Sequence, residues 1–312
     1  MGVNAFSNDD VIAAYEALTA DGSSAATERD VVEVTGPDAA RYLQGQLSQD
    51  VVAMAGESAW SFLLAPTGKV VAWLRVHRID AEHYILETDP GWGDAVKARL
   101  QRFLLRTKAE ISDPRRCLLL QRRWNASLVR LGVEVPSGVL VASAVGPGVA
   151  GIDELFLDVP SPDALALAAD GAASAAIERY RIAHAISRMG SELTDETIPG
   201  EAGAWVIESS VSFTKGCYTG QELVARIDSR GNNVPHPIRL LAVEGAVSVG
   251  DDVRLEGTVV GTITSAVPAL GDGLPALALA RVGRSVVPGL SVEVVGDSTA
   301  QSASVLESGT VR

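Results

Sequence analysis

The sequence predicts an α+β chain that ends in an all-β unit, and three observations carry that reading. At 312 residues the chain is longer than one hydrophobic core ordinarily serves, so two or three domains are expected. Its earlier part mixes strand and helix signals without the regular beat of a parallel βαβ protein. After Gly231 only short valine-rich strands remain, divided by glycine turns, which is the pattern of a small antiparallel barrel or sandwich.

The elements follow in order. The start, MGVNAFSNDD, has neither a basic beginning nor an apolar core and is poor in arginine; it reads as an ordinary start, without a secretory or mitochondrial signal. DVVEVTG (30–36) is a strand, and Pro37 and Asp38 then open a short helix with Leu43 and Leu47 on one face. SAWSFLLA and VVAWLRVHRI are two strands joined through Pro66-Thr67-Gly68-Lys69, a hairpin with proline and glycine at turn positions. HYILET is a third strand. In GWGDAVKARLQRFL the residues Trp92, Val96, Leu100 and Phe103 recur at helical spacing. LRTKAEI and DELFLDV read as strands, and four arginines in DPRRCLLLQRRW frame another on a solvated face. An alanine-rich helical region runs from about Pro162 to Met189, broken near Asp170-Gly171. RGNNVPHP is a connector. Beyond it PIRLLAVE, DDVRLEG, TVVGTITSAV, ALALARVG and LSVEVVG are strands, and the polar STAQSASVLESGTVR is a loose tail. The expected division is therefore 1–232 for the mixed part and 235–312 for the barrel with its tail. No internal repeat stands out.

Composition narrows the function. Hydrophobic residues at 47% and charged residues at 21% give a globular balance, with no apolar run of the ~20 residues needed to cross a membrane. A net charge of −13 repels phosphate backbones, so direct nucleic-acid binding is not expected. Cys117 and Cys217 alone make no disulfide framework, so a reducing, cytoplasmic compartment is expected. Cys117, followed by three leucines, behaves as a small buried hydrophobe. The four histidines are scattered without zinc-site spacing.

The chemistry concentrates in SFTKGCYTGQELVAR (212–226). Thr219 and Glu222 have the spacing of a capping box, with Tyr218 and Leu223 placed as its hydrophobic staple. Gly216 and Gly220 point to special backbone angles or to the close approach of another group. Lys215 and Cys217, two apart, share a face in an extended segment; an ammonium and a helix N-terminus both favour a thiolate. A buried structural cysteine in a glycine-rich turn is the plainer alternative.

KGCYTGQE resembles the motif of the YgfZ-type folate-binding proteins, relatives of the aminomethyltransferase (T-protein) of glycine cleavage. VTGPDAARYLQGQLSQDV, APTGKVVAWLRV, RIAHAISRMGSELTDETIPGEAG and GTVVGTITSAV with ALALARV are similar to further segments of that family, in the same order. The resemblance implies two interwoven α+β subdomains forming a folate-binding module, followed by a Greek-key-like antiparallel β-barrel. It implies a tetrahydrofolate or related reduced folate in a central channel, and a role in assembly or repair of iron–sulfur clusters, with client enzymes or assembly factors as partners and an indirect link to tRNA modification. Cys217 would be the key residue with Lys215 beside it; Arg181, Glu201, Gly216, Tyr218, Gly220 and Gln221 would line the folate site. The chain departs from the pattern at Ala183, where related transferases tend to carry an acid that could pair with the pterin's donor edge, and at Gly203-Ala204, where Asn-Leu is common.

The main rival is a one-carbon transferase using Asp94, which falls near the catalytic aspartate of the aminomethyltransferase. Its preceding Asn-Ala is replaced by Glu87-Thr88, and an aspartate at a helix start has an electrostatic reason of its own. A cysteine hydrolase pairing Cys217 with His184 or His236 lacks a recognisable nucleophile elbow. A binder of another pterin-like or deazaflavin ligand is the third reading.

Overall fold

A computed structural model describes residues 6–20, 24–54, 58–123, 138–158, 160–229, 233–271, 273–296 and 299–308. Along the chain lie α1 (Asn8–Ala20), β1 (Ser24–Thr35), α2 (Ala39–Gln46), β2 (Ser58–Leu64), β3 (Val70–Arg78), β4 (His83–Thr88), α3 (Gly93–Gln101), β5 (Glu110–Ile111), β6 (Arg115–Arg123), β7 (Val139–Ser143) and β8 (Gly151–Phe156). There follow α4 (Pro162–Ala168), α5 (Gly171–Ala183), a 3-10 turn (Pro199–Ala202), α6 (Ala204–Ser210), α7 (Gln221–Asp228), β9 (Ile238–Val243), β10 (Asp252–Leu255), β11 (Thr258–Val267), β12 (Ala276–Val282), β13 (Ser291–Val295) and β14 (Ala300–Leu306). The chain divides into two compact units, both discontinuous: the first takes residues 1–27, 118–187 and 235–312, the second Glu28–Cys117 and Arg188–Val234.

In the second unit an antiparallel sheet runs β2-β3-β4-β1, with β5 also paired to β1. Side chains alternate across a strand, so Leu74, Val76, Leu86, Val32 and Val34 face one way. There they pack with Tyr42 and Leu43 of α2 and Val96 and Leu100 of α3 into the core of this unit. The opposite face carries Trp60, Phe62, Trp73, Arg75, His77 and Glu87, and α6 brings Trp205 against Trp73, the ring centroids 5.9 Å apart. The β2–β3 hairpin turns where Pro66 to Lys69 predict it.

In the first unit β6, β8 and β7 pair antiparallel, and Val11, Tyr15 and Leu18 of α1 pack on Ala172, Ala176 and Tyr180 of α5. Its residues beyond Pro235 form a closed antiparallel barrel in the order β10-β11-β12-β9-β14-β13, filled by Leu241, Ile263, Val282, Val294 and Val305. The α+β class and the C-terminal barrel are as expected, and residues 235–312 cluster with 1–27 and 118–187.

Several local expectations are corrected. The tail is not loose throughout: Ala300–Leu306 is a strand that pairs with both β13 and β9 and closes the barrel. The alanine-rich helix ends at Ala183, with His184 as C-cap, rather than at Met189. Residues 8–20, where the sequence predicts no element, form α1, opened by Ser7, whose side-chain oxygen accepts from the Asp10 N–H at 3.3 Å while Asp10 reaches back to the Ser7 N–H at 2.8 Å. Of the four arginines on β6, Arg123 is buried against Asp153 rather than solvated. Trp124 and the glycine-asparagine part of the expected connector lie outside the described residues.

Candidate functional site

Cys217 is exposed, and the chain on either side of it is fastened to one short segment, Gln44–Gln49, at the end of α2. The Lys215 ammonium donates to the carbonyl oxygens of Gln44, Leu47 and Gln49 at 2.7, 2.7 and 2.8 Å. Gln44 and Leu47 stand at the helix end, where carbonyls lack intrahelical donors, and Gln49 lies in the chain just beyond it. The Ser212 N–H donates to Ser48 O at 3.0 Å and the Thr219 N–H to Gly45 O at 3.1 Å. The Ser48 hydroxyl donates to Ser210 O at 2.6 Å, and Gln49 Nε2 to Ser209 O at 3.1 Å. Burial pushes Lys215 down to about 8, with Asp50 acting against the shift. Its head also lies 5.2 Å from the centroid of Tyr218, a buried ring whose phenol burial pushes up to about 12. Lys215 and Cys217 therefore do not share a face: the lysine head turns inward and the thiol outward.

The helix start differs from the expected capping box. Gly220, at φ 86° and ψ 0°, is the N-cap of α7, and Thr219 makes no cap bond. Gln221 reaches back instead, its Oε1 accepting from the Tyr218 N–H at 2.9 Å. Gly220 meets the β2–β3 turn: a Cβ there would lie 2.7 Å from Ala65 O and 2.8 Å from Leu64 Cβ. Gly68, at φ 83°, is crowded in return by Leu223, whose Cβ would lie 2.5 Å from an added Cβ. Thus Gly220 and Gly68 permit a close approach of two backbones, whereas a Cβ on Gly216 would meet nothing within 4 Å.

The sheet face with Trp60 and Trp73 carries a buried ion network that sequence reasoning missed. Glu87, fully buried, takes Arg29 Nε at 2.9 Å and His77 Nε2 at 2.9 Å, with Arg75 Nε at 3.6 Å. Arg29 also pairs with Asp89, and Asp89 accepts from the Met189 N–H at 2.8 Å. Burial alone would raise the Glu87 carboxyl; Arg75 and Arg29, then His77, hold it well below the usual carboxylate range. The Arg75 guanidinium lies 4.8 Å over the Trp60 ring, which stacks on Trp73 at 4.2 Å. The signal was present as alternate charged residues in WLRVHR, but alternation alone reads as a solvated face.

Glu201 is buried in the 3-10 turn just before α6, where Oε2 accepts from the Ile198 N–H at 3.5 Å. A pterin needs a carboxylate for its amidine-like edge and flat faces to lie against. The second unit holds such a carboxylate in Glu201, four residues before Trp205, whose Nε1 is shielded from solvent and has no protein acceptor. To that extent its residues fit a flat ligand with a polar edge. Arg181 belongs to the first unit, where it pairs with Glu178 at 2.8 Å and donates to Ser265 Oγ at 2.7 Å and Ile186 O at 2.6 Å. Asp94 is exposed on the first turn of α3. Asp30 is what binds that helix start, accepting from the N–H groups of Gly91 and Gly93 at 2.7 and 3.0 Å. His184 is stacked on Tyr180 within the first unit. Among the described residues, no group of three or more His, Cys, Asp or Glu side chains could hold a metal ion, and no helix is long and apolar enough to cross a membrane.

No family model matches the chain. Its fold is that of the glycine cleavage system aminomethyltransferase T from Bartonella henselae, with a TM-score of 0.73 at 17% identity over 96% of this chain and 89% of that one. Within that fold the chain is similar to YgfZ-type proteins. It is 28% identical over 272 residues to the tRNA-modifying protein YgfZ of Klebsiella pneumoniae, covering 74% of this chain and 77% of that protein. An uncharacterized protein of Haemophilus influenzae is 28% identical over 254 residues, covering 77% of this chain and 82% of its own. The mitochondrial iron–sulfur cluster assembly factor IBA57 homolog of Pyricularia oryzae is 27% identical over 226 residues. That match takes 67% of this chain and spans about half, 54%, of the relative's length.

Proposed function

We propose that this chain binds a tetrahydrofolate and supports the assembly or repair of iron–sulfur clusters, and through them cluster-dependent enzymes, tRNA-modifying ones included. The observation that carries the reading is Cys217: an exposed thiol held on a fastened loop, in a chain similar to proteins named for cluster assembly and tRNA modification. A cysteine sulfur is a soft ligand suited to iron–sulfur species, and an exposed one can meet a cluster carried by another protein. With no metal-holding group among the described residues, Cys217 would contribute a single ligand and its partner the rest. The net charge of −13 supports an indirect link to tRNA.

Glu201, with Gly216, Tyr218, Gly220 and Gln221, all of the second unit, is the proposed folate-binding set; Arg181 belongs to the first unit and is left out of it. A bound reduced folate would supply one-carbon chemistry; Glu201 would orient its pterin by accepting from the donor edge. The alternative of a one-carbon transferase working through Asp94 gains no specific support, because Asp94 is exposed and a helix start accounts for it.

Two experiments test the proposal. Calorimetric titration with tetrahydrofolate, run beside a non-folate pterin, should give saturable binding of the folate; absence of binding at high micromolar concentration by folded protein overturns the ligand assignment. Activity of an iron–sulfur enzyme in cells lacking the native protein should be restored by the wild type and not by Cys217→Ser. Full restoration by that variant makes the thiol structural.

A further inference from the structure

Lys215 lies two residues from the thiol, which suggests a cation placed to activate it, but its contacts point to another use. An ammonium has three N–H donors and no acceptor, and here three carbonyl oxygens converge on it within 2.8 Å. Those oxygens belong to residues 166 to 171 positions earlier in the chain. Backbone bonds from Ser212 to Ser48 and from Thr219 to Gly45 fall on either side, so residues 212–219 are held at both ends and once near the middle. Between these fastenings Gly216 and Cys217 are exposed.

We infer that Lys215 is a positioning residue: it clamps the 212–219 loop to the end of α2 and thereby presents the Cys217 sulfur outward to a partner. The inference rests on the reading that Cys217 is the working residue. A clamp and a charge make different demands on residue 215. A charge is retained by arginine. Three donors converging from one atom are not, because the guanidinium spreads its donors across a rigid plane.

The test compares Lys215→Met, Lys215→Arg and Cys217→Ser with wild type. Hydrogen exchange of the amides in 44–50 and 211–220 should accelerate about tenfold or more in both Lys215 variants, and stay at the wild-type rate in Cys217→Ser. Labelling of Cys217 by a bulky maleimide relative to iodoacetamide, located by mass spectrometry, should change at least threefold in both. Restoration of the iron–sulfur enzyme in cells should drop below half for both. Unchanged exchange in Lys215→Met overturns the clamp, and so does a Lys215→Arg protein with wild-type exchange and full restoration, which would assign the lysine a role as a charge. Should Lys215→Met unfold, Lys215→Arg carries the same readings. Full restoration by Cys217→Ser removes the reading of the thiol, and the exchange rates then judge the clamp independently.

Discussion

Two glycines in the cysteine motif should respond oppositely to the same substitution. Gly220→Ala places a Cβ on a backbone at φ 86°, which costs a non-glycine residue about 1 kcal/mol. The new atom falls 2.7 Å from Ala65 O and 2.8 Å from Leu64 Cβ, both fixed to the main chain of the β2–β3 turn, so neither can swing aside. Overpacking of this kind costs roughly 1–3 kcal/mol, which brings the expected loss to about 2–4 kcal/mol. Gly216→Ala meets nothing within 4 Å, and Gly216 is not among the glycines of positive φ. Its alanine is expected to leave stability within about 0.5 kcal/mol, or to raise it slightly by restricting the unfolded chain. Urea unfolding followed by tryptophan fluorescence suits the comparison, since Trp60, Trp73, Trp92 and Trp205 all belong to the second unit. A Gly220→Ala protein within 0.5 kcal/mol of wild type, or a Gly216→Ala protein destabilised by more than about 1 kcal/mol, would refute the account of the loop. If Gly216→Ala is stable yet fails to support iron–sulfur enzymes, the open space beside it is needed by the folate or by a partner, and folate titration of the variant separates the two.

Further outcomes are expected. Thr219→Ala should shift the urea midpoint hardly at all, because Gly220 is the cap, whereas Gln221→Ala should lose about 1 kcal/mol with the Tyr218 N–H bond. Glu87→Gln removes the buried carboxylate that Arg29, Arg75 and His77 share, Arg29 keeping its pair with Asp89, and should cost about 3 kcal/mol in the same assay. Because the folded protein holds Glu87 below its ordinary value of 4.5, its contribution is present above that pH and is lost as pH falls through the folded value. Wild-type stability should therefore decline in that acid range, and the Glu87→Gln protein should lack that part of the decline. Ending the chain at Gly296 removes β14 and leaves β13 and β9 each short of a partner; size-exclusion chromatography should show aggregation rather than a smaller monomer.

What the sequence disclosed follows the range of the interactions concerned. Five barrel strands and the hairpin at Pro66 to Lys69 were legible because valine alternation and turn residues are local. β14 was not: AQSASVL is small and polar, and it is a strand because two neighbours complete their ladders on it. The capping box at Thr219 and Glu222 matched a local pattern, yet the left-handed conformation at Gly220 moved the cap by one residue, a choice imposed by the Ala65 and Gly68 backbones. Cys217 was visible as a candidate; that Lys215 binds carbonyls near residue 47 is a tertiary fact that spacing cannot carry. The Arg29, Arg75, His77 and Glu87 network was hidden for a related reason, since burial on that face comes from residues far along the chain.

The discontinuity of the two units has a consequence for how the protein is made. A ribosome has produced everything the second unit contains once it passes Val234, including both halves of the Lys215 clamp. The first unit must wait for β14, since the barrel closes only when Leu306 has emerged to pair beside Leu240. The thiol loop can be assembled on a nascent chain while the barrel is still unwritten, so a late stop codon would release a chain with its exposed cysteine already displayed and its other unit incomplete.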